Sequence, residues 1–181
     1  VAGNGFKNLR GGGPITPEII SIAVENSLTS LQTEYIDLYQ LHWPNRGSYM
    51  FRQNWHYDPT QQNKQETLDH MAEVLNALDK LQKQGKVRYF GLSNESTWGT
   101  AQWLRMSEDR GLPRVMSLQN EYSLLCRLYD TDLAELCHNE QVGLFAFSPI
   151  ACGMMSGKYQ NGAIPDGSRR SIGPDLGGRV N

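Results

Sequence analysis

No apolar run in this 181-residue sequence approaches the roughly 20 residues that a membrane-spanning helix requires. The opening stretch from Val1 to Arg10 also lacks the apolar core of a secretory signal. Cysteine is scarce. Cys126, Cys137 and Cys152 are odd in number and show neither a CxxC pair nor a histidine-paired spacing, so neither a disulfide framework nor a metal site is expected. Charge of one sign is also lacking: 17 basic against 19 acidic residues leave a formal net charge of −2. Such a balance provides no broad cationic surface for phosphate backbones or anionic lipid. The expectation is a cytoplasmic protein with reduced thiols that binds neither nucleic acid nor membrane. The sequence also lacks GxGxxG after its first strand, which removes the dinucleotide fingerprint of the doubly wound sheet. An initiator methionine is absent as well, and Val1 in its place leads us to expect upstream sequence.

What is present, 39% hydrophobic and 20% charged residues, suits one globular domain or part of one. After Gly11, Gly12 and Gly13, Thr16 and Pro17 form an N-cap followed by proline at the first helical position. A helix is expected over 17–31, with Ile19, Ile20, Ala23, Val24, Ser27, Leu28 and Leu31 as its buried stripe. The β-branched and aromatic run over 35–42 reads as a strand ending at His42 and stopped by Trp43-Pro44. Residues 45–65 have no period and read as a long functional loop. Helices near 66–84, 97–110 and 130–141 then alternate with strands near 87–92, 115–119 and 143–147, with Gly85 capping the first of these helices.

Such alternation indicates an α/β fold with a parallel sheet. In a (β/α)8 barrel, reactive side chains collect at the C-terminal ends of the strands. This chain places His42, Ser93-Asn94, Gln119-Asn120 and Ser148 at four consecutive strand ends. A whole barrel takes roughly 250 residues, so we expect residues 1–181 to form part of one: about four central strand–helix units of a TIM barrel, with both ends lying elsewhere.

Four linked segments, 37–44 (DLYQLHWP), 91–95 (GLSNE), 119–123 (QNEYS) and 147–150 (FSPI), resemble successive motifs of the aldo-keto reductases, in that family's order and spacing. The likeness runs from the first residues to about Arg170 and is similar above all to the branch that includes Tas-like bacterial proteins and potassium-channel beta subunits. It implies a barrel that reduces aldehydes or ketones with hydride from NADP(H), through a tyrosine acid assisted by lysine, aspartate and histidine. Of these four, the resemblance assigns only His42 to this chain. The other three would lie upstream, so the isolated chain is expected to be catalytically silent.

Hydride arriving at a carbonyl carbon leaves negative charge on oxygen, and a positioned donor stabilises it. His42 suits that task; taken alone it reads first as a histidine satisfying a buried strand end, and the other motifs turn the reading to catalysis. The resemblance assigns Ser93, Asn94 and Gln119 to the nicotinamide carboxamide, which needs hydroxyl and amide partners; ordinary turn and capping chemistry is their alternative. Phe147 takes the position of an aromatic that stacks on the nicotinamide ring, or is a plain core residue. Ser148, Pro149, Ile150, Ala151 and Cys152, with Lys158, resemble the loop over the cofactor pyrophosphate. Arg169 resembles an arginine near the adenosine end, and otherwise is a charge in a tail. Trp43, Trp55, Tyr57 and Tyr122 could line the substrate side for a small-molecule carbonyl compound or pack beneath the long loop. Trp98 and Trp103 read as barrel packing. A cofactor-binding regulator of the same fold is the alternative to an enzyme. In channel subunits of that kind asparagine typically stands at the histidine position, so His42 favours the enzyme.

Overall fold

A computed structural model describes residues 12–51 and 53–176; Val1 to Gly11, including the first of the opening glycines, lie outside the described residues. Its framework is α1 (Pro17–Leu31), β1 (Ile36–Leu41), α2 (Lys64–Lys83), β2 (Val87–Ser93), α3 (Thr97–Arg110), β3 (Val115–Glu121), α4 (Leu133–Asn139), β4 (Gly143–Phe147) and a short α5 (Arg169–Ile172). Single 3-10 turns interrupt the loops. The four strands form one parallel sheet in the order β1-β2-β3-β4. A doubly wound sheet reverses its strand order part-way, whereas here each strand adds beside its predecessor, as in a barrel wall.

Local chemistry accounts for the helix ends. Thr16 Oγ1 accepts from the Ile19 amide at 3.3 Å, Asn63 Oδ1 from Glu66 at 3.2 Å, and Ser96 Oγ from Gly99 at 3.1 Å. Each of the first four helices closes with a left-handed residue: Gln32, Gly85, Gly111 and Gln141. At each, the following amide reaches back to the carbonyl five residues earlier, as in Lys86 to Leu81 at 3.0 Å and Val142 to Cys137 at 2.9 Å. The expected 130–141 helix is shorter because Thr131 Oγ1 bonds the Leu128 carbonyl and Asp132, holding that stretch in a tight turn. β3 runs two residues further than expected because Asn120 and Glu121 find partners in Ala146 and Phe147.

Helices cover one face of the sheet. Ile20, Val24 and Leu28 of α1, with Met71, Val74, Leu75 and Leu78 of α2, pack against Tyr39, Leu41, Phe90, Leu92 and Leu118. Leu31, expected in this stripe, is 64% exposed: burial follows the spacing 20-24-28, and Leu31 falls off that line where the helix ends. On the other face lie Leu38, Tyr89, Ser93, Gln119 and Phe145, with Tyr89 54% and Phe145 51% exposed. The C-terminal ends of the strands, with their loops, carry the groups described next.

Candidate active site

His42 is the first residue beyond β1, half-buried, and burial holds its pKa below the ordinary 6.5, so the imidazole is neutral at pH 7. Its carbonyl accepts a bond from Asn94 Nδ2 at 2.8 Å. Asn94 takes a left-handed backbone (φ 57°), which asparagine tolerates better than most residues. Its amide N–H donates to the Gln119 carbonyl at 3.1 Å, and Ser93 Oγ donates to the same carbonyl at 2.8 Å. The structure therefore brings His42, Ser93, Asn94 and Gln119 together as one hydrogen-bonded set across three strand ends. Ser93 and Asn94 are buried, while Gln119 keeps accessible surface. Among the described residues, Asn94 Oδ1 is a buried acceptor with no hydrogen-bond partner.

The aromatic residues are distributed differently from the sequence expectation. Trp43 is only 4% exposed and stacks on Phe51 (5.5 Å between centroids, 25° between planes); Phe51 in turn stacks on Phe147 (5.6 Å, 28°). Phe51 adopts φ 55° to do so. Trp55, 87% exposed on a 3-10 turn, is not gathered into this group. Tyr57 faces Tyr49 edge-on, its hydroxyl accepting from Gln62 at 2.7 Å, and Tyr122 lies against Tyr129. Of the four expected substrate-side aromatics, only Trp43 joins the Phe147 stack, as its buried end.

Beyond β4 the backbone is held in left-handed conformations at Ser148, Ala151, Cys152, Gly153 and Gly157. Of these, Ser148, Ala151 and Cys152 carry a side chain and are strained there, whereas the glycines are not. Ala151 and Cys152 are buried, Pro149 and Ile150 exposed, and Ser148 Oγ lies 3.3 Å from Cys152 Sγ. Gly153 sits at φ 97°, where a side chain would be strained, and Lys158 Cε packs against it. Lys158 sits over the Tyr159 ring at 5.2 Å, and Arg169 opens α5, exposed. Among the described residues, no group of three or more histidine, cysteine, aspartate or glutamate side chains could hold a metal ion, and no helix is long and apolar enough to cross a membrane. Cys126, Cys137 and Cys152 are buried and form no disulfide.

These features support a cofactor fit. Asn94 Oδ1, unbonded among the described residues, and the partly exposed Gln119 suit a carboxamide, and the left-handed loop with Gly153 beside Lys158 suits a phosphate pair. Residues 12–173 match the model of the Aldo/keto reductase family. This chain belongs to that family. Protein tas of Escherichia coli (strain K12) is 38% identical to it over 172 residues, covering 93% of this chain and 48% of that protein. An aldo-keto reductase of Babesia bovis is 37% identical over 158 residues, covering 83% and 55%. The chain thus spans about half the length of these curated relatives. A solved structure described as a candidate 2,5-diketo-D-gluconic acid reductase B superposes with TM-score 0.55 at 25% identity, over 76% of this chain and 39% of the other. The described residues are accordingly a four-strand portion of an aldo-keto reductase (β/α)8 barrel, as the motifs imply.

A cavity of about 910 Å³ adjoins the His42 set, between the N-terminal half of α2 and the ends of β1 and β2. It includes Trp43 and Ser93 but is otherwise walled by Asn45, Arg46, His70, Glu95 and Trp103, among others. No sequence pattern marks a role for Arg46, Ser48, Phe51 or Glu95; Ser48 bonds the Asn94 carbonyl, Arg46 meets Glu95 next to Asn94, and Phe51 stacks between Trp43 and Phe147. Glu95 was legible only as the fifth residue of its motif, and Trp98, expected in packing, is instead 39% exposed beneath the Arg46 guanidinium.

Proposed function

We propose that this chain forms the cofactor-facing, histidine-bearing part of a reductase that converts aldehydes or ketones to alcohols with NADPH. The observation that carries the reading is the hydrogen-bonded union of His42, Ser93, Asn94 and Gln119 at adjoining strand ends. When bound, a reduced nicotinamide supplies the hydride. Ser93, Asn94 and Gln119 hold its carboxamide and so select the ring face offered to the substrate. Phe147 supports the ring, Ser148 to Cys152 and Lys158 hold the pyrophosphate, and Arg169 serves the adenosine end. His42, neutral at pH 7, donates an N–H to the carbonyl oxygen as negative charge grows there. Tyr122 and the aromatic loop 45–63, which carries Trp55 and Tyr57, bound the side from which an apolar carbonyl compound enters, and Trp43 supports that side from beneath Phe51. The tyrosine acid, its lysine and its aspartate come from outside these 181 residues, and the protein works in the cytoplasm. Histidine rather than asparagine at position 42 favours turnover over a purely regulatory role.

The test is fluorescence titration of the full-length protein with NADPH and NADH, followed by aldehyde reduction by wild type and His42→Ala. The expected result is preferential NADPH binding, with kcat about 100-fold lower in the variant and cofactor affinity retained. Wild-type protein that binds neither nucleotide would refute the proposal.

A further inference from the structure

Arg46 lies in the loop after β1 and Glu95 at the β2–α3 turn, and the two form an ion pair with side chains 7% and 2% exposed. The contact is bidentate: Nη1 donates to Glu95 Oε2 at 3.0 Å, and Nη2 donates to Oε1 and, at 3.1 Å, to Ser96 Oγ. Glu95 also accepts from the Ser96 amide at 2.7 Å and from Trp103 Nε1 at 3.4 Å, while the Trp98 ring lies 5.3 Å from the guanidinium. Burial by itself would lower the Arg46 pKa, but Glu95 beside it raises it above the ordinary value, so the cation is secure. Gly99 leaves the room: a Cβ there would run into both the Glu95 carboxylate and the Arg46 guanidinium.

A buried ion pair is a poor means of gaining stability, since apolar residues of similar volume usually do as well. What the pair adds is direction. Ser48 Oγ, two residues beyond Arg46, donates to the Asn94 carbonyl at 2.6 Å; Asn94 Nδ2 returns to the His42 carbonyl at 2.8 Å; and Asn120 Nδ2 holds the Glu95 carbonyl at 3.0 Å. The loop and the turn are therefore joined at the His42 carbonyl, at Ser48 and at Arg46. We propose that Arg46 and Glu95 are positioning residues: their buried pair clamps the β1 loop to the β2–α3 turn and so sets His42 against Ser93 and Asn94. The proposal rests on the reductase reading for its effect on turnover, and on geometry alone for the clamp.

The decisive variant is Arg46→Met with Glu95→Leu, which keeps volume and removes the directed bonds without stranding a charge. In the full-length protein the expected result is a cooperative melt near that of wild type, kcat lowered at least about tenfold with substrate KM nearly unchanged, and faster amide hydrogen exchange over 42–50 and 93–98. Arg46→Lys, which keeps the charge but not the fork, should recover part of the rate. A folded double variant with wild-type kcat and wild-type exchange would overturn the proposal. If the double variant does not fold, Glu95→Gln, which preserves shape and removes the charge, takes its place: lowered kcat with faster exchange supports the clamp, and wild-type values of both overturn it. Should wild type itself neither bind NADPH nor reduce carbonyls, the reductase reading falls by itself; the clamp then stands or falls on the exchange of the two segments.

Discussion

Burial lowers the pKa of His42 and of His70, the latter in contact with Asn45 Nδ2. As pH falls, the unfolded chain, with histidines near 6.5, takes up protons before the native one does. The associated stability is therefore complete above about pH 6.5 and is lost as pH drops through the depressed native values. The urea midpoint is expected to decline from about pH 7.5 to about pH 5, and His70→Gln to flatten part of that slope; a slope untouched by the substitution would remove His70 from the account. Phe51 tests the aromatic stack. Its ring covers part of Phe147, so Phe51→Ala should tighten NADPH binding in a fluorescence titration, whereas weaker binding would make Phe51 part of the cofactor wall. His42, Ser93, Asn94 and Gln119 were legible in sequence because strand ends are local features. Phe51 was not, since a residue in an aperiodic loop at φ 55° has no sequence pattern that fixes its direction.

The two helix ends closed by glutamine carry a prediction of their own. Gln32 and Gln141 sit at φ 53°, a left-handed geometry that Gly85 and Gly111 adopt at the equivalent positions without steric penalty from a Cβ. Gln32→Gly and Gln141→Gly are each expected to raise stability by about 0.5–1 kcal/mol, seen as a Tm higher by about 1–4 °C. A lower Tm would mean that the glutamine side chains make contacts worth more than the strain. The bounds of α1, α3 and β4 follow from period and caps and agree with expectation. α4 and β3 do not, because side-chain bonds within 127–132 and pairing with β4 decided those ends.

The described residues as a whole close only one face of the sheet. Tyr89 and Phe145 stand exposed on the other, and among the described residues β1 and β4 each pair along one edge only. Unpaired edges beside an open apolar face favour association. The isolated 181-residue chain is therefore expected to sediment as oligomers or aggregates and to reduce no carbonyl substrate. Tyr89→Lys with Phe145→Lys should shift it toward monomer. Sedimentation as a monomer before any substitution would show that the face is covered within the chain.

By itself, the sequence determined the alternation of strands and helices, the helix caps, and the appearance of His42, Ser93-Asn94 and Gln119 at strand ends. Each of these depends on neighbours a few residues away, through hydrophobic period or side-chain capping. Only the tertiary structure decided that Trp43, Phe51 and Phe147 stack, that Trp55 stays outside, and that Arg46 meets Glu95 across 49 positions beside a glycine with no side chain to obstruct them. Those contacts depend on strand register and on how a loop without period lies over the sheet, and no local pattern encodes either.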